Sequence, residues 1–170
     1  MASTAEKGGL CMGMKAEPQG ASSAAALVVE DDDLIAQLLQ VILQRQGYMT
    51  SRVATRRSIR SYIAEAPPPQ LITLDWRLPD VSGFTVLGWI RSTLGWDDVP
   101  VLLVTGSSPD ERDLARALAW GRVAYIGKPF RIAEFSAAVE RLCLRDRPGQ
   151  HFADHTRASA PIEEEYSCQQ

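Results

Sequence analysis

The sequence predicts an α/β domain, a doubly wound, five-stranded parallel sheet with strand order 2-1-3-4-5. Three observations lead there. Short apolar runs alternate with stretches of helical periodicity, five times over. The runs show little polar alternation, as strands covered by helices on both faces do. Three of the runs lead into residues whose chemistry needs a shared sheet edge: Glu30 and Asp31, then Asp75, then Lys128.

Each element has its own signal. Leu27, Val28 and Val29 form the first strand, and Asp32 or Asp33 can cap the helix that follows. In that helix Leu34, Leu38 and Ile42 recur at helical spacing, as do Ile35, Leu39 and Leu43, and Gly47 stops it. Residues 48–53 read as a weaker strand and 55–64 as a second helix, before three prolines force a break. Residues 71–74 are the third strand. After the loop 78–83, a helix from Phe84 to about Leu94 carries Leu87, Ile90 and Leu94 on one stripe. Residues 99–104 are the most continuous apolar run and the fourth strand. Pro109 opens a fourth helix at its first turn, ending near Trp120 and Gly121. Residues 123–126 are the last strand. The last helix, 132–144, has Ile132, Phe135, Val139 and Leu142 on its inner face.

The structured part is expected over residues 24–145, with a flexible leader at 1–23 and a flexible tail at 146–170. The chain has 170 residues, is 45% hydrophobic and 23% charged, and carries a net charge of −3. That is the profile of an ordinary soluble globular protein, with no basic surface for direct nucleic-acid binding. No apolar run approaches the ~20 residues that cross a bilayer, and the first residues lack the core of a signal peptide. A cytoplasmic location without membrane insertion is the expectation. Cys11, Cys143 and Cys168 have no pairing or metal spacing, which suits a reducing compartment.

The chemistry follows from the sheet edge. Parallel strands bring their carboxyl ends together, so Glu30, Asp31, Asp75 and Lys128 are expected to share one pocket. Three carboxylates there repel one another unless a cation sits among them, and a hard divalent ion with oxygen ligands is the natural one. Lys128 can hold an anion brought to the same place. A metal, a carboxylate nucleophile and an anion clamp together describe phosphoryl transfer to an aspartate.

Four segments, LVVEDD, LITLDWRLPDVSGF, VLLVTG and YIGKPF, stand in order with a matching element between each. With them the sequence resembles the receiver domain of bacterial two-component response regulators, a flavodoxin-like (βα)5 fold, over about residues 24–145. The resemblance implies that Asp75 is the phosphoacceptor. It implies that Mg2+ is held by Asp31 directly, by Glu30 through water, by Asp75, and by the backbone carbonyl of Arg77. Thr105 matches the hydroxyl residue that senses the phosphoryl group, Gly106 leaves room for the donor, and Lys128 matches the family's lysine, with a cis bond to Pro129 expected. Tyr125 matches the aromatic switch position. Arg77 and Ser107, two places beyond Asp75 and Thr105, flank the path of attacking water.

The implied partners are a sensor histidine kinase or a histidine phosphotransfer protein as donor, and a downstream protein target, with a homodimer as a further option. About 25 residues follow the last helix, too few for a DNA-binding output domain, so the expectation is a stand-alone relay that acts through partners. It would be a stoichiometric phosphoacceptor rather than an enzyme. A receiver-fold adaptor that is never phosphorylated is the alternative. A metal-dependent phosphatase is disfavoured, because such enzymes carry a second Asp where this chain has Arg77.

Plainer readings apply elsewhere. Asp32 and Asp33 read as helix caps. Arg52, Arg56, Arg57 and Arg60 read as one solvated basic face. His151 and His155 have one-turn spacing but no third ligand nearby, and Glu163 to Glu165 read as solubilising.

Overall fold

The structure, a computed structural model, describes residues 24–106 and 110–144. The expectations for residues 1–23 and 146–170, and for Ser107 and Pro109, lie outside the described residues. The elements run β1 (Ala25–Val29), α1 (Asp33–Arg45), β2 (Met49–Val53), α2 (Arg56–Glu65), β3 (Leu71–Leu74), α3 (Gly83–Ser92), β4 (Val101–Thr105), α4 (Glu111–Ala119), β5 (Val123–Gly127) and α5 (Ile132–Cys143). All five strands are parallel, in the order β2-β1-β3-β4-β5. The predicted fold class and topology are the observed ones. Among the described residues, no helix is long and apolar enough to cross a membrane.

Alternate strand residues face opposite sides. Leu27, Val29, Ile72, Leu74 and Leu103 meet Ile59, Val86, Leu87, Ile90 and Ala117 from α2, α3 and α4. Ala26, Val28, Leu71, Leu102 and Val104 meet Leu39, Leu43, Phe135 and Val139 from α1 and α5. Each fully buried Leu, Ile or Phe contributes about 1.5–3 kcal/mol, so two layers this well filled hold the sheet rigid. Full burial on both faces holds for β3, β4 and, from Ala26 on, β1, whereas the edge strands β2 and β5 are only partly covered.

Local chemistry sets the ends of the helices. The Asp32 carboxylate accepts from the N–H groups of Leu34 and Ile35, both at 2.9 Å, and so caps α1. Asp33 does not cap; it is the first helical residue and pairs with Arg52 at 2.6 Å. Thr55 caps α2 through Ser58. Gly47 takes a φ of +90° just past α1, the left-handed conformation a glycine adopts without strain.

Four apolar positions differ from the sequence reading. Leu94 is 98% exposed, because α3 ends at Ser92 and the chain has turned away before it. Trp96 fills the interior instead, edge-on to Tyr62 at 6.2 Å. Ile132 opens α5 and is exposed, and Leu34 and Leu38 lie outside the seam that α1 makes through Ala36, Leu39, Ile42 and Leu43. A helix lying on a sheet buries one stripe, and α1 has more apolar residues than one stripe holds.

Candidate functional site

Register builds the site. Val29 pairs with Leu74, Leu74 with Leu103, and Thr105 with Gly127. The next residues therefore emerge side by side, and their own amides continue the sheet. The Glu30 N–H donates to the Val53 carbonyl at 3.2 Å, the Asp75 N–H to Val29 at 2.9 Å, and the Lys128 N–H to Thr105 at 2.7 Å. The backbones that carry the site are thus as fixed as the strands.

The side chains converge. Lys128 Nζ donates to Glu30 Oε2 at 2.7 Å and to Asp75 Oδ2 at 2.6 Å. The second Asp75 oxygen, Oδ1, accepts from the Arg77 N–H at 2.9 Å. Carboxylate oxygens of Glu30, Asp31 and Asp75 lie within 4.8 Å of one another. Glu30 is 1% exposed and Asp75 7%, while Asp31 opens to solvent. Burial pushes the Glu30 carboxyl above its ordinary value, and the Lys128 hydrogen bond only partly opposes this. Burial also pulls on the Lys128 ammonium, but the bonds to Asp75 and Glu30 outweigh it and hold the group above its ordinary value.

Three carboxylates against one ammonium leave a formal excess of two negative charges in this cluster. An all-oxygen donor set with that excess fits a hard divalent cation such as Mg2+. Glu30, Asp31 and Asp75 are the side chains that could hold it, and the Arg77 peptide lies against the same carboxylate.

Thr105 is buried at the end of β4, beside this group. Gly106 is exposed, and a β-carbon there would stand 3.8 Å from the Lys128 stem, an ordinary contact. The Lys128–Pro129 bond is cis, as expected. Tyr125 is 39% exposed on β5 and lines a groove with Glu134, Ala137 and Arg141 of α5.

Sequence reasoning missed three supporting residues. Arg52 does not belong to one solvated face with the α2 arginines: its guanidinium reaches the turn that holds Glu30 and Asp31. Arg56 and Arg60 lie instead over the Trp89 ring, at 5.7 and 5.2 Å. Gly83 packs on the acceptor strand's end, where a β-carbon would stand 2.5 Å from the Asp75 carbonyl oxygen. Asp80 accepts from the Arg56 N–H with both oxygens at 3.0 Å and ties the loop after Asp75 to the start of α2. The available signal was that Arg52 falls in the second strand, 48–53, and the other three arginines in the helix that follows; for Gly83 and Asp80 the sequence held none.

Trp76, next to Asp75, is buried and lies 6.1 Å from Phe84. Phe84 stacks on Trp120 at 4.9 Å, and Arg116 sits 4.9 Å from the same ring.

Comparison with known proteins agrees with this geometry. The family model of the response regulator receiver domain matches residues 26–140. The transcriptional regulatory protein GltR of Pseudomonas aeruginosa is 35% identical over 125 residues, 74% of this chain and 51% of that protein. The transcriptional regulatory protein KdpE of Mycobacterium tuberculosis is 34% identical over 120 residues, 71% of this chain and 51% of that one. The chain spans about half the length of the curated relatives it matches. Among solved structures, the signal receiver domain of a histidine kinase from Syntrophus aciditrophicus is 28% identical and superposes with a TM-score of 0.63, over 78% of this chain and 98% of that one. A sensor histidine kinase receiver domain from Pseudomonas aeruginosa, solved with a magnesium ion coordinated in its active site cleft, shares the fold at 24% identity and a TM-score of 0.62, covering 72% of this chain and 98% of that one.

Proposed function

This chain belongs to the response regulator receiver domain family, and from that premise we propose that Asp75 takes a phosphoryl group from a phosphohistidine. The donor is a sensor histidine kinase or a histidine phosphotransfer protein. An Asp75 carboxylate oxygen forms the new bond to phosphorus as the bond to the histidine nitrogen breaks, and the imidazole leaves. The observation that carries this reading is the Asp75 carboxylate itself: nearly buried, bonded to Lys128 at 2.6 Å, and grouped with Glu30 and Asp31.

Glu30, Asp31, Asp75 and the Arg77 backbone carbonyl are the proposed holders of Mg2+. Bound there, the ion supplies charge neutralisation for the phosphoryl oxygens. Lys128, already between the two buried acids, is placed to accompany the incoming anion and hold one of its oxygens. The Thr105 hydroxyl is assigned to another oxygen, and Gly106 leaves the approach open. Once Thr105 is drawn inward, Tyr125 can leave its half-exposed position, and the face formed by α4, β5 and α5 changes. The protein in this reading is a stoichiometric acceptor in the cytoplasm. Its output passes to a downstream protein, by onward phosphotransfer, or through a homodimer.

The test is incubation with a small acyl-phosphate donor and Mg2+, followed by intact mass and hydroxylamine lability. One added phosphoryl group, absent from Asp75→Asn and without Mg2+, supports the proposal. No added group, or the same addition on Asp75→Asn, rejects it in favour of a receiver-fold adaptor.

A further inference from the structure

We infer that Arg52 is a positioning residue for the cation site: its guanidinium clamps the backbone of the Glu30–Asp31 turn and so aims both acids at Asp75. This rests on the proposal that these acids bind Mg2+.

Arg52 is the fourth residue of β2, in register with Val28 of β1, two residues before Glu30. From there its three nitrogens take three different acceptors in the turn. Nε donates to the Glu30 carbonyl at 3.1 Å, Nη2 to the Asp31 carbonyl at 2.9 Å, and Nη1 to Asp33 Oδ1 at 2.6 Å. The first two are the carbonyls of the two acids the site needs from this turn.

Asp31 is the residue that needs such help. Its neighbours' carboxylates are all engaged: Glu30 with Lys128, Asp32 with the start of α1, and Asp33 with Arg52. Among the described residues no hydrogen bond to the Asp31 carboxylate is present, so its direction is set by its own backbone. That backbone is what Nη2 holds. The same guanidinium keeps Asp33 turned outward, so a fourth carboxylate stays out of the cluster.

A surface ion pair alone does not explain the arrangement. Asp33 is 88% exposed, and pairs of that kind contribute little. Arg52 itself is only 26% exposed, and its two carbonyl bonds need a planar fork. A lysine carries the same charge but has one nitrogen and cannot reach all three acceptors.

The charge and the clamp act in opposite directions on cation binding. Arg52 is a cation near a cation site, so removing its charge alone tightens Mg2+. Loosening the turn weakens it. Outer groups that orient metal ligands typically matter about 10–100-fold in affinity.

The experiment is isothermal titration of the full, unphosphorylated chain with Mg2+, for wild type, Arg52→Lys, Arg52→Ala, Asp33→Asn and Asp31→Asn. Thermal unfolding without Mg2+ runs alongside. The clamp predicts that Arg52→Lys and Arg52→Ala bind Mg2+ about tenfold or more weakly. Asp33→Asn, which keeps both carbonyl bonds, stays within about threefold of wild type. Free ethylguanidinium should restore part of the affinity of Arg52→Ala. Wild-type affinity in Arg52→Lys, tighter binding in Arg52→Ala, or an equal loss in Asp33→Asn overturns the clamp. If Arg52→Ala does not fold, Arg52→Lys decides. If wild type binds no Mg2+, or Asp31→Asn binds it equally well, the cation site itself is wrong, and the clamp falls with it for a reason the titration identifies.

Discussion

Replacing Lys128 by alanine tests the charge balance of the site in the most direct way. The ammonium bonds two carboxylates at 2.7 and 2.6 Å, and one of them, Glu30, is 1% exposed. Breaking a buried pair by removing one partner costs about 3–5 kcal/mol if the remaining charge is stranded. Here one carboxyl can take a proton instead. Starting from an ordinary value near 4.3, that costs about 3.7 kcal/mol at pH 7 but only about 1 kcal/mol at pH 5. Burial already holds Glu30 above the ordinary range, which brings the cost down.

The expected loss of stability is therefore about 3 kcal/mol at pH 7 and about 1 kcal/mol at pH 5. The sign is fixed by the direction of each shift. Lys128 lies above its ordinary value in the folded protein, so its contribution is complete below about pH 10 and fades only as pH rises through the folded value. Between pH 5 and 7 the slope belongs to the carboxyl. A folded state that keeps a proton the unfolded chain has released becomes less stable as pH rises. The assay is urea denaturation of wild type and Lys128→Ala, without Mg2+, at both pH values. Equal losses at pH 5 and pH 7, or no loss at pH 7, would refute the reasoning.

Three further outcomes follow from the same geometry. Gly83→Ala forces a β-carbon to 2.5 Å from the Asp75 carbonyl oxygen, and should cost about 1–3 kcal/mol in urea denaturation and lower the yield of acyl phosphate; an unchanged midpoint contradicts the close packing. Arg77→Ala should alter the lifetime of phosphorylated Asp75, followed by loss of label over time, because the Arg77 N–H already holds the acceptor's Oδ1 and the family resemblance implies that its side chain flanks the water path; identical decay refutes that implication. Trp76→Phe should remove most of the fluorescence change on adding Mg2+ or phosphodonor while leaving acyl-phosphate formation intact, and a change that survives assigns the signal to another indole.

The acids and the lysine were legible because a parallel sheet has a simple rule. The carboxyl ends of all its strands lie along one edge, so Glu30 and Asp75 could be placed side by side from the order of apolar runs, and Lys128, from the end of β5 with β4 between, on the same edge within reach of a long side chain. Leu94 and Ile132 were misread because apolar periodicity says nothing about where a helix stops, and both sit at or beyond an end. Arg52 was grouped with Arg56 and Arg60 because they are close in sequence. The strand–helix boundary between them sends Arg52 to the Glu30–Asp31 turn and the other two to Trp89. Gly83 looked like a loop glycine; only the approach of α3 to Asp75 shows that any side chain there would collide with backbone. The Asp33 error came from a tie between adjacent acids, which the reach of Arg52 broke.

The two sides of the sheet differ in one respect that governs how this protein can be watched. All four tryptophans, Trp76, Trp89, Trp96 and Trp120, belong to the layer of α2, α3 and α4, and the layer of α1 and α5 has none. Tryptophan emission is therefore a one-sided reporter. A protein that binds against α1 or α5 stays dark to it unless the disturbance crosses the strands. A spectral change on adding such a partner would then register transmission through the sheet rather than contact.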